Sequence, residues 1–395
     1  MKIVHVMNWY MPNMGYQENY LPAEQKKLGH DVEIVTSDRF PFYRGYKQHI
    51  GKFHKDRIVG TGIVYDNGLK IHRLPCFLEH KRNGEIFLKD LRKKLKKLNP
   101  DVVHVHGVFT PLSLQTIFYK KKLNYQLIVD DHSHKNNFGF DSFPKKIYIF
   151  FFKLFYQFFQ SRVSCFMPVT YSSKEIIQSI LKIPDEKIKL LHLGANADVF
   201  KPSKKLREIG RKENGIQDNE ILILTSGKFT RSKDIDILLR SFINISKKFS
   251  NIRLLLVGNG PVEYMKYLEE IVDSSKINDK VIFHDFVPNF ELPKLYNASD
   301  IGVWPGDHTI TAIEAVATGL PIIVPSSDYA YKVLFEDNAA LGFDRGSIDS
   351  LTKKIELLCS NRNKLDYLLK NSIEISQKKL GWNIIAKKSL EYYSK

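Results

Sequence analysis

The run Trp304-Pro-Gly-Asp-His-Thr-Ile-Thr-Ala-Ile-Glu-Ala-Val-Ala-Thr-Gly-Leu-Pro321 closes an apolar strand over Ile301 to Trp304 and passes through a short polar loop. It then enters a segment of small and apolar residues with helical patterning. Gly319-Leu-Pro321 turns the chain into a second apolar run, Pro321 to Val324. Strand, loop, helix and strand in that order form a βαβ unit, which builds a parallel sheet. A loop entering a helix presents backbone N–H groups, here around Thr309 and Ile310, to phosphate or sugar oxygens. Glu314 sits among small and apolar neighbours on a helix that should be largely buried. A carboxylate there reads as a ligand for vicinal hydroxyls.

The same alternation extends in both directions. Strand candidates are Ile3 to Met7, Val32 to Thr36, Val102 to His106, Gln126 to Asp130, Ser164 to Val169 and Lys189 to Leu193, then Ile221 to Ser226, Arg253 to Val257 and Val281 to His284. Most are separated by helix-length segments, so the expectation is α/β: two Rossmann-like, doubly wound parallel sheets facing a central cleft. The charged stretch 201–219, with Pro202 and Gly215, has little strand character and is expected to be a linker. The domains are therefore 1–200 and 220–375. Residues 376–395 are expected to form a C-terminal helix packing back on the first domain.

The length of 395 residues favours two domains over one core, and 43% hydrophobic residues exclude a disordered chain. The formal charge is +17, of which residues 1–200 carry +13. Such an excess favours nucleic acid, an anionic membrane or acidic substrates as partners. Cys76, Cys165 and Cys359 are far apart without CxxC spacing, which indicates neither a zinc site nor a disulfide framework and fits a reducing, cytoplasmic compartment. No secretory signal and no apolar run long enough to span a bilayer is visible.

Chemistry is expected in loops that follow strands. Gly15, between the first strand and a helical pattern, lets backbone approach a ligand, although a plain turn glycine has the same signature. His132, at the end of Val129-Asp-Asp-His-Ser133, can donate to a sugar oxygen or accept a proton; a strand-end histidine satisfied by local backbone is the alternative. Asp130, Asp131, His132 and His134 could hint at a metal, but neighbours on an extended segment diverge, so no metal is expected. His104 and His106 share one face of a strand, where packing is the plainer reading. In the second half, Lys228 and Lys233 follow the strand Ile221 to Ser226 and can grip a diphosphate as point charges, without forming a Walker A loop. Val257-Gly-Asn-Gly-Pro261 lacks the third glycine of a dinucleotide fingerprint and reads as a tight turn close to a nucleotide.

Taken together, Leu256-Val-Gly-Asn-Gly-Pro261, Phe290-Glu-Leu-Pro-Lys-Leu-Tyr296 with Ala298-Ser-Asp300, and Glu314-Ala-Val-Ala-Thr-Gly-Leu-Pro321 stand in the order and spacing of a known family. The chain resembles the retaining nucleotide-sugar glycosyltransferases of family 4, which have the GT-B fold. The resemblance implies an enzyme of the hexosyltransferase type. It would move a sugar from a UDP- or GDP-sugar to a glycan or lipid-linked acceptor in cell-surface polysaccharide or glycolipid synthesis, with no cofactor. By position, Gly15 abuts the donor diphosphate, His132 stands near the donor sugar, Lys228 and Lys233 neutralise the leaving group, and Glu314 binds the ribose hydroxyls. Three positions depart from the pattern. Gly306 replaces the first glutamate of the family's paired motif, with Asp307 one step later able to contact the sugar; Tyr16 replaces a second glycine; Asn196 replaces an aspartate. These departures motivate a rival expectation, a catalytically degenerate nucleotide-sugar-binding homologue that partners another transferase. A sugar-nucleotide epimerase lacks support from the Glu314 segment.

The segment 144–160 carries six phenylalanines with Lys146, Lys153, Gln157 and Gln160 on one stripe of a helix. It reads either as a core helix of the first sheet or as one seated partly in a membrane interface. With the basic runs Lys89 to Lys97 and Lys120 to Lys122, it points to a peripheral position on the cytosolic membrane face. Nucleic acid is disfavoured, since no recognised binding module accompanies the charge.

Overall fold

The structure is a computed structural model that describes residues 1–12, 15–41, 56–80, 85–133, 143–328 and 331–394. His134 lies outside the described residues. Two compact units are present: Met1–His192 with Trp382–Lys395, and Leu193–Gly381.

The first unit contains β1 (Lys2–Val6), β2 (Asp31–Ser37), β3 (Gly62–Asp66), β4 (Leu69–Leu74), β5 (Cys76–Glu79), β6 (Ile86–Leu88), β7 (Val102–Val105), β8 (Gln126–Asp131) and β9 (Cys165–Pro168). Its main sheet has the order β3-β4-β2-β1-β7-β8-β9, parallel except for the β3–β4 edge pair. The central strands are buried almost throughout, as the Val/Ile/Leu runs require of a sheet covered on both faces. Helices α1 (Gln17–Lys27), α2 (Leu91–Leu98), α3 (Pro111–Lys120), α4 (Phe143–Phe159) and α5 (Tyr171–Ser179) complete the main chain of this unit. Thr110 caps α3 by accepting from the Ser113 N–H, with Pro111 placed where its missing N–H costs nothing.

The second unit contains α6 (Lys204–Glu213), β10 (Ile221–Lys228), α7 (Ile235–Ser246), β11 (Ile252–Asn259), α8 (Val262–Ser274), β12 (Val281–His284), α9 (Leu292–Ala298) and β13 (Ile301–Val303). It continues with α10 (Ile310–Ala317), β14 (Ile322–Pro325), α11 (Lys332–Glu336), β15 (Ala340–Phe343), α12 (Ile348–Ser360) and α13 (Arg362–Ile375). Its sheet is parallel throughout, in the order β12-β11-β10-β13-β14-β15. The strand–helix–strand reading of residues 301–324 corresponds to β13, α10 and β14. No helix among the described residues is long and apolar enough to cross a membrane.

Three expectations differ from what is found. The stretch 201–219 holds α6, an integral helix of the second unit. Its charge is one-sided: Arg207 and the buried Arg211 both donate to the Asp300 carboxylate, at 2.7 and 3.2 Å, and Gly210 lies against α9, where a Cβ would come 2.7 Å from the Lys294 carbonyl. Lys189 to Leu193 is not a strand. It makes two backbone bonds to β9, from the N–H groups of Lys189 and Leu191, but no ladder follows. The segment 376–395 is not one helix: Ser376–Leu380 stays with the second unit, and after Gly381 the helix α14 (Trp382–Tyr393) belongs to the first.

Candidate active site

In the second unit, the loops after β10 and β13 are tied to each other. Lys233 donates from Nζ to the carbonyls of Asp307 and His308, at 2.8 and 2.9 Å. Burial lowers its pKa, with the nearby Asp307 acting in the opposite direction. An ammonium has three N–H donors, so this arrangement leaves one for an oxyanion. Lys228, the last residue of β10, is exposed. Trp304 Nε1 donates to the Ser226 carbonyl at 2.9 Å and pins the loop's start to β10. Gly227, Lys228, Lys233, Gly306, Asp307 and Thr309 line one small pocket here.

Gly306 explains why the paired-glutamate pattern is broken. A Cβ at this position would lie 2.3 Å from the Ser232 carbonyl and 2.4 Å from the Lys233 backbone, so no larger residue fits without moving that loop. Asp307 follows with its N–H on the Ser232 carbonyl and its side chain turned inward, only 2% exposed. Its Oδ1 accepts from Arg345 Nη1 at 2.8 Å, and Arg345 also donates to Asp234 and to the Ser232 carbonyl. The side chain expected to reach the sugar is thus an anchor for the loop. Arg345 was not foreseen; its signal is positional, since it follows β15 as the other site residues follow their strands.

Glu314 lies on the second turn of α10 and is 1% exposed. Burial pushes its pKa up to about 8, opposed by Asn289, which donates to Oε1 at 2.8 Å. The Oε2 atom is buried with no hydrogen-bond donor among the described residues. A carboxylate left so is costly unless a ligand donates to it. Thr309, at the N-cap of α10, does not cap with its side chain, and Ile310 opens the helix. The Gly258 and Gly260 pair has a packing role: a Cβ at Gly258 would sit 1.9 Å from the Gly227 carbonyl of the adjacent strand.

In the first unit, Gly15 has φ +73°, a conformation that favours glycine, and leads into α1. Tyr16, where a second glycine was expected, has φ −86° and ψ 167°, ordinary extended backbone that needs none. Gln17, the next residue and the first of α1, donates to Asp130 at 3.4 Å. Asp130 gathers the site: His106 Nδ1 lies 2.7 Å, His104 Nε2 3.3 Å and His132 Nε2 3.5 Å from its Oδ2, while Oδ1 accepts the Gly107 N–H. Although burial alone would raise it, the surrounding histidines hold the Asp130 pKa well below the usual carboxylate range. For His132 burial disfavours the cation, but Asp130 outweighs it and lifts the pKa to about 9. The His132 side chain remains about one third exposed, so an imidazolium donor faces outward from a fully buried anion.

Behind this dyad the network continues. His5 lies 2.9 Å from His106 and 2.8 Å from Gln25, which donates to Ser389 and Tyr393 of α14. His104 and His106 are therefore members of a hydrogen-bonded stack. Their rings are stacked, parallel to within 2°, and one nitrogen of each faces the Asp130 carboxylate. Asp131 points away, bonded by Ser133, and burial raises its pKa to about 7.

Two parallel α/β units with polar loops at the C-terminal strand ends are the architecture of GT-B glycosyltransferases. The chain belongs to that class: residues 207–375 match the family described as glycosyl transferases group 1, and residues 20–199 match glycosyltransferase family 4. It is 26% identical to an uncharacterized glycosyltransferase of Methanocaldococcus jannaschii, over 83% of this chain and 85% of that one. It is 23% identical to the alpha-monoglucosyldiacylglycerol synthase of Acholeplasma laidlawii, over 91% and 87%. Among solved structures, Anabaena HepE in complex with UDP superposes with a TM-score of 0.75 at 13% identity, covering 100% of both chains. The protein is a group 1 glycosyltransferase.

Proposed function

We propose that this glycosyltransferase uses a UDP- or GDP-sugar and transfers the sugar, with retention of anomeric configuration, to a glycan or lipid-linked acceptor. The observation that carries the donor assignment is Glu314, a buried carboxylate with one oxygen held by Asn289 and the other without a donor. A ribose diol supplies two hydroxyl donors to such a group. The diphosphate falls to Lys228 and to the remaining N–H of Lys233, with the Ile310 N–H adding the N-terminus of α10 beside Thr309, whose own N–H donates to Tyr331. Gly15 permits close backbone approach in the first unit. His132, held as an imidazolium, donates to a donor-sugar oxygen; it does not serve as a base. Charge neutralisation is assigned to the chain's own cations, so no metal enters the scheme. The relatedness to a glycolipid synthase supports the acceptor class, and the fold shared with a UDP-binding protein supports the donor class.

The test is turnover of a panel of UDP- and GDP-sugars, with and without chelator, for wild type and Lys233→Met. Release of sugar that survives chelation and falls at least about a hundredfold in the variant supports the reading. Turnover independent of Lys233, or a requirement for divalent metal, rejects it.

A further inference from the structure

The aromatic helix α4 is apolar on two faces, and only one of them is used. Phe152, Phe155 and Tyr156 are buried against the first sheet, where Tyr156 donates to the Val108 carbonyl at 2.8 Å. On the outer face Phe143, Ile147, Phe150, Phe151, Leu154 and Phe158 are all exposed, spaced as one helical stripe. Phe143 and Phe158 are each 75% exposed, Phe150 59% and Phe151 52%. Together these side chains present roughly 600 Å² of apolar surface, at the upper end of what a soluble monomer tolerates.

The charge carried by the helix itself has one sign. The helix contains Lys145, Lys146 and Lys153 and no acidic residue. Past its C-terminal end, Arg162 stacks on the Phe159 ring at 4.8 Å, and Lys187 donates to the Gln160 carbonyl at 2.7 Å. Cations there also satisfy the end of the helix dipole, which accounts for Lys187 and Arg162 but not for Lys146 in the first turn, where the dipole disfavours a cation, nor for Lys153 further along. Large aromatic side chains on one face, with lysines along the border and no acid, match an element that lies in a lipid–water interface and selects anionic headgroups.

We propose that the outer face of α4 is a membrane-docking surface that inserts its aromatic stripe among the acyl chains of an anionic leaflet. The helix, about 25 Å long, lies flat on the bilayer. Docking on this surface is independent of the donor chemistry. An enzyme that turns over nucleotide sugar but ignores vesicles refutes the docking and leaves the proposed function standing.

The experiment is flotation of the full-length protein with vesicles of phosphatidylcholine alone and of phosphatidylcholine mixed equally with phosphatidylglycerol. Wild type is expected to float with the mixed vesicles and much less with the neutral ones. The double variant Phe150→Gln/Phe158→Gln removes two exposed rings and is expected to bind about a hundredfold more weakly, with an unchanged unfolding temperature. Lys146→Glu/Lys153→Glu is expected to erase the preference for the anionic vesicles. Equal flotation of wild type and the aromatic variant, or no binding to anionic vesicles, overturns the proposal. So does concentration-dependent dimerisation that the aromatic variant abolishes in the absence of vesicle binding, since that would assign the stripe to a second copy of the chain.

Discussion

Replacing Glu314 by Gln should stabilise the free protein and remove the ribose-dependent part of its response to nucleotide. In the folded chain burial raises the Glu314 pKa to about 8, against an ordinary 4.5. The folded state therefore holds a proton that the unfolded state releases across this window. The stability this proton confers is complete below pH 4.5 and is lost progressively as pH rises to about 8. The slope is about 1.4 kcal/mol per pH unit, so the whole loss is on the order of 4–5 kcal/mol. Glutamine keeps the acceptor oxygen for Asn289 but cannot ionise. Denaturant unfolding from pH 5 to pH 8.5 should show the variant drawing steadily ahead of wild type as pH rises. With UDP added, the ribose hydroxyls favour the ionised carboxylate. Wild-type affinity should then strengthen about tenfold per pH unit up to about pH 8, while the variant lacks this gain and shows only the smaller, pH-independent rise in unfolding temperature that the diphosphate supplies. Inorganic pyrophosphate, which lacks the ribose, should stabilise both proteins equally. Parallel pH profiles for the two free proteins, or an undiminished UDP response in the variant, would refute the reasoning.

Restoring the family's glutamate by Gly306→Glu is expected to destabilise the protein by about 1–3 kcal/mol in denaturant unfolding and to lower activity, because the Ser232–Lys233 backbone occupies the space a Cβ needs. Asp130→Asn removes the charge that keeps His132 protonated to about pH 9. Activity that in wild type is level through neutrality and declines near pH 9 should decline from below pH 6.5 in the variant, measured as kcat/KM against pH. The wild-type stability contributed through His132 is full below pH 6.5 and disappears as pH passes about 9, while that contributed through the depressed Asp130 is full above its ordinary 3.8 and is lost in acid. Arg345→Ala removes the link that ties the 306–309 loop, through Asp307, to Asp234 and Ser232, and should cost about 1–3 kcal/mol together with a loss of donor affinity by calorimetry.

Much of the architecture was legible because it is written locally. Apolar runs of strand length, punctuated by Gly and Pro and alternating with helical periods, mark ten of the described strands near their true positions. The parallel sheets follow from the helix-length connections. The edge strands β3 and β15, the neighbouring β4 and the small β5–β6 pair escaped, being short or only partly apolar. The charged helix α6 reads as a linker because the stretch has Pro202, Gly215 and little strand character, whereas Arg207, Arg211 and the bare surface of Gly210 do the docking. The aromatic helix reads as either core or membrane-facing, and in the structure one of its faces is buried in the first unit while the other is exposed.

The residue order by itself determined the parallel α/β class, the position of Glu314 on a helix with apolar neighbours, and the basic loops after their strands. These depend on periodicity and on neighbours within a few residues. The charge states and partners were determined by the tertiary fold. Asp130 meets His104, His106 and His132 because β7 and β8 lie side by side, and Arg345 meets Asp307 because their strands end on the same edge of one sheet. Coulombic and desolvation energies depend on distance and burial in space, and residues 38 positions apart acquire neither until the sheet brings them to 2.8 Å.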